Sequence, residues 1–306
     1  MAFAGVLPIV PTPFLRDGQP DHAGLRAIVD DAIAAGTSAL VYPGVASEDV
    51  HLTAEERADC IRLVAEAAAG AVPLIAGVNS ADPAEMVKLA ETAAGLGAGG
   101  IMAMAVPSMA PDFAGWFNRI GAATGGLPII LQNMAGPRGA ALSVEAMIDL
   151  AKAVPAIRYV KEETVPSGPG VSGLVAGASG ALDGVIGGGG ARYLFEELER
   201  GVIGTMPAIE LLRLHVALMR AHAAGDRARA LDLWERSVPL LLIQAPYRMR
   251  LTKLILKHRG LISHDGVREP LPEMDDRLER LVIELYERLP AEARELSAAA
   301  GTVAHG

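Results

Sequence analysis

Short, nearly continuous apolar runs alternate along this chain with longer stretches whose apolar residues recur every three or four positions. The runs fall at 5–10, 39–42, 73–77, 100–105, 128–132, 157–161, 182–187 and 202–205. Runs that are apolar on both faces suit parallel strands covered on each side. Their starts run from 5 to 202, so seven intervals average about 28 residues, close to one strand–helix unit each. The pattern predicts an α/β fold, an eight-stranded (β/α)8 barrel, with an open doubly wound sheet as its rival.

The amphipathic stretches carry their own start and stop signals. The spacing predicts a helix over 21–35 that stops at Gly36, a residue free to turn left-handed. A second, over 53–69, opens on Thr53 with Glu56 three residues on, a capping box. A third, over 143–153, starts at Ser143 and ends before Pro155. Past the last strand come helices over 208–224, 227–259 and 274–289, the second predicted to break near Pro239 or Pro246. The expected organisation is a barrel at 1–224, a helical extension at 225–296 and a frayed small, polar tail at 297–306.

Composition narrows the function classes. The chain has 306 residues, of which 51% are hydrophobic and 21% charged, a globular balance. A net charge of −9 and an aromatic content of 4% argue against a nucleic-acid partner. Cys60 is the single cysteine and sits on an apolar helical stripe, so a buried thiol is expected and an internal disulfide is excluded. The first ten residues lack a basic segment, and no apolar stretch of membrane-spanning length occurs, which points to the cytoplasm and no membrane partner. The histidines, among them His22, His51, His215, His222, His258 and His264, show no metal-ligand spacing, so neither metal nor cofactor is expected.

In a barrel, chemistry sits at the C-terminal ends of the strands. Lys161 ends the sixth run, and alternation places it on the same face as Tyr159, opposite Val160. Burial there favours a neutral amine able to attack a ketone. The same lysine also reads as an ordinary partner of Glu162 and Glu163. Gly187-Gly188-Gly189-Gly190 could bring amides to a substrate carboxylate, helped by a helix starting near Ala191, although a plain turn is the simpler reading.

Several motifs then resemble the dihydrodipicolinate synthase/N-acetylneuraminate lyase family over roughly residues 5–260: Val10-Pro11-Thr12-Pro13-Phe14, Gly44…Glu48 followed by Leu52-Thr53-Ala54-Glu55-Glu56-Arg57, Pro73-Leu74-Ile75-Ala76-Gly77-Val78, Leu127-Pro128-Ile129-Ile130-Leu131 and Tyr159-Val160-Lys161-Glu162. The resemblance implies a Schiff base on Lys161 with a small 2-keto acid such as pyruvate, and a homo-oligomer, dimer or tetramer. The family's proton-relaying tyrosine is Gln132 here, and the hydroxyl coupled to it falls at Ala46; Ser47 could replace that hydroxyl only if the loop shifts. Its second tyrosine falls near Ser108 or Met109, and its carboxylate-binding arginine arrives one place late, as Arg138.

Gln132-Asn133 with Lys161-Glu162-Glu163 resembles instead the branch with 2-keto-3-deoxy-L-arabonate dehydratase-like members. The expected catalytic set is Lys161, Glu163 and Gln132, with Glu163 a general acid or base or else a structural carboxylate. The expected substrate-binding set is Thr12, Ala46, Ser47, Asn133, Arg138, Gly187 and Gly188. The activity these imply is that of a lyase acting on a 2-keto-3-deoxy sugar acid, dehydration favoured. A pyruvate aldolase or dihydrodipicolinate synthase on the same lysine is the alternative, and a silent sugar-acid-binding regulator the third.

Overall fold

The computed structural model of the protein describes residues 3–178 and 180–294, so the expected tail at 297–306 lies outside the described residues. Eight strands form one parallel sheet: β1 (Gly5–Val6), β2 (Leu40–Val41), β3 (Leu74–Gly77), β4 (Gly100–Met104), β5 (Ile129–Asn133), β6 (Ile157–Glu162), β7 (Gly184–Gly187) and β8 (Gly204–Thr205). Their order is β1-β8-β7-β6-β5-β4-β3-β2. The two ends meet where Ile9 bridges Val41 and the Val10 and Val41 amides donate across the seam to Val41 and Pro8 carbonyls, at 3.0 Å each. The barrel is closed, and the open-sheet rival is set aside.

The edge runs are shorter than expected, for reasons of hydrogen bonding. Pro8 has no amide to give toward β2, which ends the regular ladder of β1 at Val6, although the Leu7 and Ile9 amides still reach Thr205 O and Pro207 O at 2.9 and 2.8 Å. Val202 turns back to donate to Glu197 O, so β8 starts two residues later than its apolar run.

Helices α1 (His22–Ala34), α2 (Ala54–Ala68), α3 (Pro83–Gly95), α4 (Phe113–Ala123), α5 (Val144–Ala153), α6 (Ser167–Gly177), α7 (Leu194–Glu199) and α8 (Leu212–Ala223) return the chain between strands and after the last. The capping box of α2 forms in both directions, Glu56 N–H to Thr53 Oγ1 at 3.1 Å and Thr53 N–H to Glu56 Oε2 at 2.9 Å. Cys60 is a buried free thiol on that helix. Helix α8 starts later than expected because residues near Ala208 still pair with Ile9 at the barrel rim.

Beyond α8 lie α9 (Arg227–Tyr247), α10 (Met249–His258), α11 (Asp276–Glu287) and α12 (Ala291–Arg294). The expected break falls at Arg248, where φ is 47°, two residues past Pro246, while Pro239 leaves α9 continuous. Among the described residues no helix is long and apolar enough to cross a membrane.

Side-chain alternation sorts the core into two layers. Leu7, Ile75, Met102, Ile130, Tyr159 and Ile186 fill the barrel interior. Ile101, Leu131, Val160 and Val185 face the helices. A residue two places after Ile130 or Tyr159 therefore points up the interior toward the mouth.

Candidate active site

Two such residues are Gln132 and Lys161, paired in register on β5 and β6. Lys161 is almost wholly buried, its side chain 2% exposed, and its Nζ lies 3.1 Å from Glu163 Oε2. The ladder continues one step past β6, since Glu163 N–H donates to Asn133 O at 2.9 Å. That keeps Glu163 on the interior face beside the lysine. Its Oε2 also accepts from Gln132 Nε2 at 2.6 Å, and its Oε1 accepts the Gly189 amide at 3.0 Å.

The chain of bonds runs further. Gln132 Oε1 accepts from Asn79 Nδ2 at 2.9 Å, and Asn79 Oδ1 accepts from the Met104 amide at 2.8 Å. A backbone N–H at the end of this chain fixes which way each amide faces. Burial alone would push the Glu163 carboxyl up. The Lys161 charge and the donors from Gln132 and Gly189 outweigh it and hold the carboxyl below the usual range.

Lys161, Glu163 and Gln132 form the floor of a cavity of about 240 Å³. Ile9, Met206 and Ala208 wall one side, with Val45 and Ala46 beside them. Gly189, Gly190 and Arg192 form another wall, and Gln244, Ala245, Arg248 and Met249 close over it from the α9–α10 junction. The extension beyond the barrel is thus part of the site, which the sequence reading had not anticipated. Among the described residues no group of three or more His, Cys, Asp or Glu could hold a metal.

A buried ion pair anchors that extension. Lys253 Nζ on α10 lies 2.5 Å from Glu48 Oε1, both side chains 0% exposed, and 4.2 Å from the Phe14 ring centroid. Burial pushes the Lys253 pKa down to about 8 against the pull of Glu48. Glu48 Oε2 accepts the amides of Arg268 and Glu269 at 2.6 and 2.7 Å. Glu269 Oε1 in turn lies 3.4 Å from Arg248, at the cavity mouth.

The expected substrate contacts fall in several places. Ala46 lines the cavity. Thr12 Oγ1 meets Tyr42 Oη at 2.9 Å and donates to Ser47 O at 2.8 Å, while Ser47 Oγ donates to Val10 O at 2.5 Å. These two hydroxyls are committed to holding the loop after β2. Asn133 faces the helices, donating to Glu162 Oε2 at 2.8 Å and to Leu142 O at 3.1 Å. Arg138 lies 3.5 Å from Asp49 and lines a separate cavity with Ser80, Pro107 and Ser108.

In the glycine loop, a side chain on Gly187 would run into Glu197 and one on Gly188 into Glu163. The Gly189 amide that looked available for a substrate carboxylate serves Glu163 instead. The expected helix near Ala191 is a single tight turn, and α7 starts only at Leu194 with Glu196 and Glu197 in its first turn, a poor anion site.

A sequence profile of the dihydrodipicolinate synthetase family matches residues 2–286. A 4-hydroxy-tetrahydrodipicolinate synthase from Salinibacter ruber is 34% identical over 164 residues, 53% of this chain and 54% of that protein. With this synthase the match therefore spans about half the relative's length. The L-2-keto-3-deoxyarabonate dehydratase of Azospirillum brasilense is 27% identical over 294 residues, 91% of this chain and 93% of that protein. The crystal structure of a dihydrodipicolinate synthase from Rhodopseudomonas palustris, 26% identical, superposes with a TM-score of 0.85 over 94% of this chain and 97% of that one.

Proposed function

The chain belongs to the dihydrodipicolinate synthetase family, and from that premise we propose that it is a Schiff-base-forming lyase in which Lys161 condenses with the ketone of a 2-keto acid. The observation that carries the proposal is the contact between Lys161 Nζ and Glu163 Oε2 at the floor of the cavity, 3.1 Å apart. Attack on the ketone needs the unprotonated amine, and Glu163 is in line to take its proton. Loss of water from the carbinolamine leaves a cationic imine, an electron sink for bonds at C3.

Dehydration is the favoured course. Glu163 removes a C3 proton, the electrons pass to the imine nitrogen, and their return expels the C4 hydroxyl, protonated as it leaves, as water. Hydrolysis then frees the amine. Support comes from the cavity lining: Glu163 is its one carboxylate among the described residues, and no tyrosine lines it. Gln132 has no proton to relay but orients Glu163. Breaking the C3–C4 bond to release pyruvate is the second course. The near full-length match to a dehydratase favours the first and a 2-keto-3-deoxy sugar acid as substrate. The protein acts on this reading in the cytoplasm as a homodimer or homotetramer, which light scattering on the purified protein checks.

Borohydride reduction in the presence of pyruvate tests the lysine. Mass mapping is expected to place the adduct on Lys161; an adduct elsewhere, or none with any keto acid, overturns the proposal. Assaying 2-keto-3-deoxy sugar acids for water loss and for pyruvate release separates the two courses.

A further inference from the structure

The charges around the cavity are lopsided. Lys161, Arg192 and Arg248 line it against the single carboxylate of Glu163, an excess of two positive charges among the described residues. Arg248 is partly matched by Glu269 at 3.4 Å. Arg192 is not. Its Nε donates to Leu241 O at 3.2 Å, one terminal nitrogen to Gly189 O and the other to Gln244 Oε1 at 2.7 Å. All three acceptors are neutral, and a guanidinium carries five N–H groups, so two remain uncommitted. Arg192 is also partly buried, and burial, aided by the like charge of Arg248, disfavours its charge more than Tyr193, Glu210 and Glu163 support it.

A partly desolvated guanidinium without a carboxylate in direct contact is costly, and a second cation nearby adds to the cost. An anion lying between the two arginines would relieve both. The keto acid's own carboxylate sits on the carbon next to the imine carbon, close to Lys161 on the floor, whereas Arg192 and Arg248 stand at the wall and mouth.

We infer that the site selects 2-keto acids bearing a second carboxylate at the far end of the chain, held by Arg192 and Arg248. The inference rests on the Schiff-base reading above and adds the substrate class. A dicarboxylate brings two negative charges to a lining whose own charges sum to two positive, before the partial screening of Arg248 by Glu269. The bonds it makes are charge-assisted and bidentate where Arg192 offers its two free N–H groups. Gln244 and the Gly189 carbonyl fix the guanidinium plane, so little ordering is left for the ligand to impose.

The test uses imine trapping, which needs no knowledge of the natural substrate. Half-saturation is measured with borohydride for pairs of equal chain length: 2-oxopentanoate against 2-oxoglutarate, and 2-oxohexanoate against 2-oxoadipate. At least one diacid is expected to saturate at a concentration tenfold or more below its monoacid partner. In Arg192→Gln and in Arg248→Gln that ratio is expected to shrink severalfold toward one. A purely structural role for Arg192 would change both members of a pair alike and leave the ratio intact. No preference for either diacid, or a preference untouched in both variants, overturns the inference while leaving the lysine chemistry standing. Failure of pyruvate and of all four probes to mark Lys161 instead fails the Schiff-base reading, and this inference falls with it.

Discussion

Replacing Glu163 with glutamine looks like a neutral swap of shape, and the hydrogen-bond chain says it is not. A carboxylate offers two acceptor oxygens, and both are used: Oε2 faces Lys161 and Gln132 Nε2, and Oε1 faces the Gly189 amide. A carboxamide offers one acceptor and one donor. Gln132 cannot flip to help, because its oxygen is held by Asn79, whose own oxygen is held by the Met104 amide. Whichever way the new amide turns, one donor meets another donor. Leaving a buried donor unpaired costs about 1–3 kcal/mol. For a chain of this size that is a fall in Tm of roughly 2–5 °C. The substitution also removes the base, so turnover is expected to drop roughly 10²–10⁴-fold. The amine itself remains, so pyruvate and borohydride are expected still to mark Lys161, but more slowly, since Glu163 no longer takes its proton. Calorimetry, steady-state turnover and trapped mass check the three parts separately. Full turnover would show that Glu163 does no proton transfer, and an unchanged Tm would refute the argument from the fixed amide chain.

Gly188→Ala puts a methyl against the Glu163 side chain without a left-handed backbone to strain, since φ is −137°. The displaced carboxylate is expected to lower turnover about 10²-fold with folding intact by circular dichroism. Lys253→Met strands the buried Glu48 carboxylate, and denaturant unfolding is expected to show a loss of about 3–5 kcal/mol, much of it recovered in the double variant with Glu48→Gln. His215 is buried on α8, both ring nitrogens lack a hydrogen-bond partner among the described residues, and burial pushes its pKa down to about 4. The unfolded chain takes up a proton near pH 6.5 that the folded one refuses until about pH 4, so stability falls as pH drops through that window, by about 3 kcal/mol in all. His215→Leu is expected to flatten this part of the stability–pH curve, and an unchanged slope would mean the ring charges freely in the fold.

The strands that read most clearly are those with uninterrupted backbone donors. The runs beginning at 100 and 157 start where β4 and β6 start. β1 and β8 shrank because prolines and turns took their ladder partners, which apolar pattern does not register. Pro239 was a plausible breaker, yet α9 passes through it because that face is exposed and water can satisfy the freed carbonyl of exposed Glu235. In the site, period-two alternation was enough to align Gln132, Lys161 and Glu163. The same rule applied past β3 would have found Asn79, two residues beyond Gly77. Arg192, Gln244 and Arg248 were out of its reach. The place of Gln244 and Arg248 depends on how α9 and α10 turn at Arg248, and Arg192, on the loop after β7, meets them there through Gln244, tertiary facts that periodicity does not encode.

That roof has a consequence for how the protein comes into being. The floor is complete when the chain has been made through Glu163, but the roof is made about eighty residues later. Domains fold as units, and here the unit cannot be finished until late in synthesis, because Glu48 has its partner only once the lysine at 253 has been made. On the proposed reading, a keto acid entering before that would meet the lysine without the residues from 244 to 249 that line the finished cavity. If Lys161 is the reacting amine, the last quarter of the chain must therefore dock before the site has all its walls.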